Sequence, residues 1–64
     1  MCLSTVYSGD TPAPENMLAE YVVSVETEGD AIRLVDITGE ELSLRGSLRL
    51  VDLVGNHIFI ALEK

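Results

Sequence analysis

The chain has 64 residues, 47% of them hydrophobic, and its eleven acidic and four basic side chains leave a net charge of -7. So short a chain forms one small domain, expected over residues 1–64, with no room for a two-domain enzyme or a deep substrate cleft. Arg33, Arg45, Arg49 and Lys64 are scattered among carboxylates rather than clustered, which excludes nucleic acid as the expected partner.

Apolar residues recur with period two and are broken by turn residues every few positions, which predicts consecutive strands and no helix. The first strand is expected at 3–7. A polar connection at 8–16 follows, in which Pro12 and Pro14 exclude regular structure. The second strand is expected at 18–27, where Val23 and Val25 alternate with Ser24 and Glu26. Gly29 and Asp30 then form a tight, glycine-first hairpin turn. A β-branched strand at 31–37 ends at Thr38 and Gly39, and a fourth runs over 41–45. Gly46 lies between two apolar runs without a turn sequence around it, which predicts a bulge or sharp bend before a fifth strand at 47–54. Gly55 and Asn56 form a second glycine-first turn leading into a sixth strand at 58–62, apolar on both faces. The expected fold is therefore all-β: a six- to seven-stranded meander curled into a small, partly open barrel.

Stability sharpens that picture. A domain of this size buries only about 60% of the surface its unfolded chain exposes, so small domains commonly rely on disulfides, a metal or a second copy of themselves. Cys2 is the only cysteine and His57 the only histidine, too few for an internal disulfide or a closed tetrahedral zinc site. Self-association remains, and a homodimer would cover the second apolar face of the last strand. The negative charge serves solubility. No basic-then-apolar leader and no apolar run near the roughly 18 residues of a membrane span is visible, so a cytoplasmic location without membrane contact is expected.

Catalytic constellations are sparse. Cys2 and His57 lie at opposite ends of the chain, and the P-loop, GxGxxG, CxxC and HExxH patterns are missing. No enzyme is expected. The position with chemistry is Cys2. With Met1 retained, the Met1 amine, the Cys2 amide nitrogen and the Cys2 sulfur can hold a metal through two fused five-membered rings. With Met1 removed, the new amine and the thiolate still close one ring. Planar nitrogen and sulfur donors suit Ni(II) or Cu(II) better than Zn(II). One chain end leaves positions unfilled, and two ends related by a twofold axis supply four donors.

The residues also resemble a known family over nearly the whole length. The opening Met1-Cys2-Leu3-Ser4-Thr5-Val6-Tyr7 resembles the MCxxxVY start of the CooT family. Glu28-Gly29-Asp30 with Ile32 and Leu34 is similar to its EGD hairpin, and Asp36-Ile37-Thr38-Gly39-Glu40 to its DI-x-GE segment. Val51-Asp52-Leu53-Val54, followed by Ile58 and Leu62-Glu63, resembles its last hairpin. The resemblance implies a cytosolic homodimer of small β-rich subunits that binds nickel through Cys2 at the dimer interface. It further implies that the nickel passes to a recipient apo-enzyme, carbon monoxide dehydrogenase. Cys2 with adjacent Met1 carries over as the ligand position; the Pro-bearing 8–16 connection departs from the family pattern, and His57 stays outside the ligand set. The competing reading is a metal-independent β-barrel adaptor that docks through an apolar face or a free strand edge.

Overall fold

The computed structural model describes residues 3–63. Five strands form in chain order: β1 (Ser4–Ser8), β2 (Met17–Glu28), β3 (Ala31–Asp36), β4 (Glu41–Asp52) and β5 (His57–Leu62). Each neighbouring pair in the ring β1-β2-β3-β4-β5 is hydrogen-bonded, and the ring closes because β1 runs parallel to β5. The remaining pairs are antiparallel. The fold is thus the expected all-β barrel. Its strand count differs from the expected six to seven, because 41–45 and most of 47–54 belong to a single strand, β4.

Gly46 explains the difference. The bend predicted there exists, but it redirects β4 without ending it. Up to Arg45 the strand pairs with β3, and from Gly46 onward it pairs with β5. The Gly46 amide donates to the Asp30 carbonyl at 2.8 Å, while the Arg45 carbonyl accepts from the Glu63 amide at 2.9 Å. At the crossing the backbone of β5 passes so close that a Cβ on Gly46 would collide with the Ala61 carbonyl oxygen and sit 3.1 Å from the Leu62 Cα. Any side chain would force two strands apart.

β2 changes partner in the same way, pairing with β1 as far as Val22 and with β3 from there on. The register slips on both sides of this exchange. Tyr21 takes the left-handed conformation there (φ 59°), an uncommon one for an aromatic residue, and its carbonyl accepts the Ile37 amide at 2.9 Å. The two 12-residue strands therefore act as corners, each serving two neighbours and letting a five-stranded sheet curl closed. In the connection before β2, Pro14 opens a single 3-10 turn (Pro14–Asn16), where its fixed φ and missing N–H suit the first helical position. The prolines thus admit one short helical turn in a segment expected to be irregular.

Alternation puts Val6, Val22, Ile32, Leu34, Ile58 and Ile60 into the barrel, with Leu18, Ala19, Val25 and Leu44 packed against them. The last strand is dry on both faces, as its sequence suggests. Its second face, however, is covered within the chain: Phe59 is only 6% exposed and stacks on Tyr7 at a centroid distance of 5.8 Å. The partner expected to shield that face is not needed there. The apolar excess lies elsewhere, on Leu50, Val51 and above all Leu53 (80% exposed) and Val54 (97% exposed).

The turns are built by side-chain oxygens and glycine. Gly29 has φ 60° at the first of two loop positions between paired Glu28 and Ala31, as the glycine-first pattern predicts. In the β3–β4 turn, Asp36 Oδ1 accepts from the Thr38 hydroxyl at 2.6 Å, the Thr38 amide at 2.8 Å and the Glu40 amide at 3.1 Å. In the β4–β5 turn, Asp52 Oδ1 accepts from the amides of Val54 and Gly55. There the left-handed residue is Asn56 (φ 58°), so the expected glycine-first pair is a longer turn led by Asp52. Charge pairs flank β3: Arg33 joins Glu26 and Glu41, and Arg45 joins Asp30 at 2.8 Å.

Two outcomes test this account. Gly46→Ala is expected to destabilise by several kcal/mol, about the range of severe overpacking, and to leave little folded protein in circular dichroism. The Asp36 carboxyl titrates below its ordinary value of 3.8, first because the Thr38 hydroxyl favours the charged form, with backbone amides adding to it and partial desolvation opposing it. A lowered native pKa gives stability that is complete above the unfolded value and lost as pH falls through the native one. Asp36→Asn should therefore lower Tm at neutral pH, with the gap from wild type closing as pH falls below about 4; thermal melts across that range check it.

Candidate metal centre

Cys2 and Met1, the ligand positions expected from sequence, lie outside the described residues. The strand that follows them in sequence, β1, is held from both sides at its start. Ser4 pairs with Val22, and Thr5 pairs with His57 across the parallel seam. The Thr5 amide donates to the Asn56 carbonyl at 3.0 Å, which fastens the start of β1 to the β4–β5 turn. Two residues, Leu3 and Ser4, lie between Cys2 and Thr5 in the sequence.

The turn is tightly formed. Asp52 and His57 face each other at the end of the β4–β5 ladder, and Gly55 passes over both. A Cβ on Gly55 would lie 2.9 Å from Asp52 Oδ2 and 3.3 Å from His57 Nδ1. The His57 ring is half-buried, edge-on to Tyr7 at 5.5 Å and to Phe59 at 6.2 Å. This aromatic trio stiffens the seam that carries the chain end. Sequence reasoning placed Cys2 and His57 at opposite ends of the chain; the parallel β1–β5 pairing brings the segment that follows Cys2 beside His57. Only the closing of the ring, a contact between the two extremes of the sequence, could have signalled it.

Among the described residues, no three of His, Cys, Asp and Glu cluster closely enough to hold a metal ion. The carboxylates have other work: Asp36 and Asp52 organise turns, and Asp30, Glu26 and Glu41 face arginines. No described helix is long and apolar enough to cross a membrane.

No curated protein matches the sequence. A family model does: residues 1–61 match the family described as CO dehydrogenase accessory protein CooT, nearly the whole chain. That family is defined by an accessory role rather than by catalysis, in keeping with the sparse catalytic constellations of the sequence. The match runs through the Cys2 opening, the Gly29 hairpin, the Asp36 turn and the Asp52 turn, and the chain belongs to the CooT family of CO dehydrogenase accessory proteins.

Proposed function

We propose that the protein is a nickel metallochaperone, without enzymatic activity of its own, that acts in the cytoplasm in the maturation of carbon monoxide dehydrogenase. It binds Ni(II) as cargo through Cys2 of two subunits and passes the ion to the apo-enzyme. The observation that carries the reading is family membership across residues 1–61, which include the sole cysteine at position 2.

The chemistry of the donors supports it. A thiolate is a soft ligand, and the amine and amide nitrogens beside it close five-membered rings that favour a planar arrangement, which Ni(II) accepts. Each subunit contributes one end, so two subunits meet the demand of a four-coordinate ion. The strand next to the ligand positions is itself fixed, since Thr5 is bonded to Asn56 and paired with His57. A scaffold that is already ordered adds little ordering cost on binding. A site at a chain end, held by few ligands, also suits a protein that must release its ion to another.

Because the thiol and any ligating amine or amide must lose protons, nickel affinity rises with pH, and acidification releases the ion. Titration of the wild type with nickel is expected to develop sulfur-to-metal charge-transfer bands in the near ultraviolet. Cys2→Ser should abolish those bands and weaken binding by at least about a hundredfold, the order seen on loss of a principal ligand or its support. Undiminished binding in that variant overturns the assignment. Nickel transfer to apo-carbon monoxide dehydrogenase, followed by the gain of its activity, tests the delivery step.

A further inference from the structure

The β3–β4 turn and the β4–β5 turn stand at opposite ends of β4, and beside the first the wall of the barrel is incomplete. β2 pairs with β1 as far as Val22 but with β3 only from Val22 onward. Over 17–21 its second edge therefore faces no strand among the described residues, and is held there by the Ile37 amide, which donates to the Tyr21 carbonyl. A groove of about 450 Å³ opens at this place, between the first part of β2 and the start of β4. Leu18, Leu34 and Leu42 line it together with Tyr21; Leu34 is buried, whereas Leu42 is 39% and Tyr21 56% exposed.

The charges around this apolar floor are of one sign. Glu20, Asp36, Glu40 and Glu41 line the groove, and none of the described basic side chains does. Arg33 answers Glu41 from outside it, while Glu20, Asp36 and Glu40 form no ion pair among the described residues. These carboxylates are spread around the rim, and among the described residues no three acidic, His or Cys side chains stand close enough to hold a metal ion. A rim too wide for one ion suits a partner whose positive charges are spread as well.

We infer that this groove docks a partner protein through an extended segment bearing arginine and apolar side chains. Charge complementarity selects this occupant. Guanidinium groups meet carboxylates through paired hydrogen bonds and lie flat on an exposed aromatic ring, and the groove offers Glu20, Glu40 and Tyr21 for both contacts. Apolar side chains of the segment cover Leu18 and Leu42, and its backbone adds to the unpaired edge of β2. A second copy of this chain is a poor occupant, since it brings a net charge of -7 to a rim already negative. The inference stands apart from the nickel reading, because no residue of the groove is a proposed ligand.

The test titrates isotope-labelled protein, without nickel, with a short peptide of alternating arginine and valine and follows the backbone amides by NMR. Amide shifts are expected to concentrate in 18–22 and 36–42. Replacing the arginines of the peptide by glutamate should abolish binding, and replacing its valines by serine should weaken it at least about tenfold. The double variant Glu20→Lys with Glu40→Lys should lose at least about tenfold in affinity. Glu28→Lys with Glu63→Lys, an equal change of net charge outside the groove, should stay within about twofold of wild type. These glutamates are all exposed and form no ion pair among the described residues, so folding should survive, as circular dichroism checks. Shifts scattered over the whole acidic surface, equal loss in both double variants, or undiminished binding of the serine peptide overturns the inference. A wild-type oligomer that the groove variant alone splits, read by native mass spectrometry, makes a second copy the occupant and overturns it as well. Cys2→Ser, which tests the nickel reading, is expected to bind the peptide as the wild type does, so the two readings fail separately.

Discussion

Four residue pairs, from Thr5–His57 to Ser8–Ile60, turn a row of hairpins into a closed ring. Without that parallel seam, β1 and β5 would each present an open edge, and a two-edged sheet of 64 residues would enclose no interior. With it, each of the five strands sends apolar side chains into one small core. Parallel pairing needs the chain to travel the whole way round before its ends meet, so the seam is the least local contact in the molecule and is costly in loop entropy. The aromatic stack of Tyr7 on Phe59, with His57 edge-on, is placed on this seam and reinforces it.

Closure with only five strands requires sharp coiling, and the corners at Gly46 and Tyr21 supply it by two different means. At Gly46 the absence of a side chain permits β4 and β5 to cross almost in contact. At Tyr21 the backbone takes a strained left-handed conformation while the side chain remains exposed. Strain of this kind costs of order 1–3 kcal/mol and persists only where surrounding hydrogen bonds determine it; here the Ile37 amide and the pairing of Val22 with both neighbours do so.

Much of this was legible in the residues, for local reasons. Strict alternation in 31–36 marks β3, and the glycine-first pair at Gly29 marks its hairpin, since both depend on neighbours two or three positions apart. The Gly46 bend was readable as a bend, but whether it ended a strand depended on which strands flanked it, information no local pattern contains. For the same reason the last strand's two dry faces were visible, whereas the cover of one by Tyr7 was not: Tyr7 is remote from Phe59 in sequence and meets it only through the seam. Cys2 stood out chemically from its position alone. That the segment after it lies along the strand of the only histidine follows from the ring.

Most of the acidic side chains that make contacts are occupied in holding the fold. Eleven carboxylates could suggest a protein for hard cations, but the ones that converge on anything converge on backbone amides, as Asp36 and Asp52 do, or on arginines, as Glu26, Asp30 and Glu41 do. A carboxylate already accepting such bonds has fewer lone pairs free for an ion. The thiol of the sequence, by contrast, stands in a stretch, 1–9, that contains no carboxylate, although the strand after it is fastened to the turn that Asp52 leads. An acidic shell of this kind keeps an apolar chain dispersed, because copies of like charge repel one another. For the function proposed above, the same repulsion has to be overcome when two chain ends approach one ion, and a stretch without carboxylates around Cys2 in the sequence keeps that cost low.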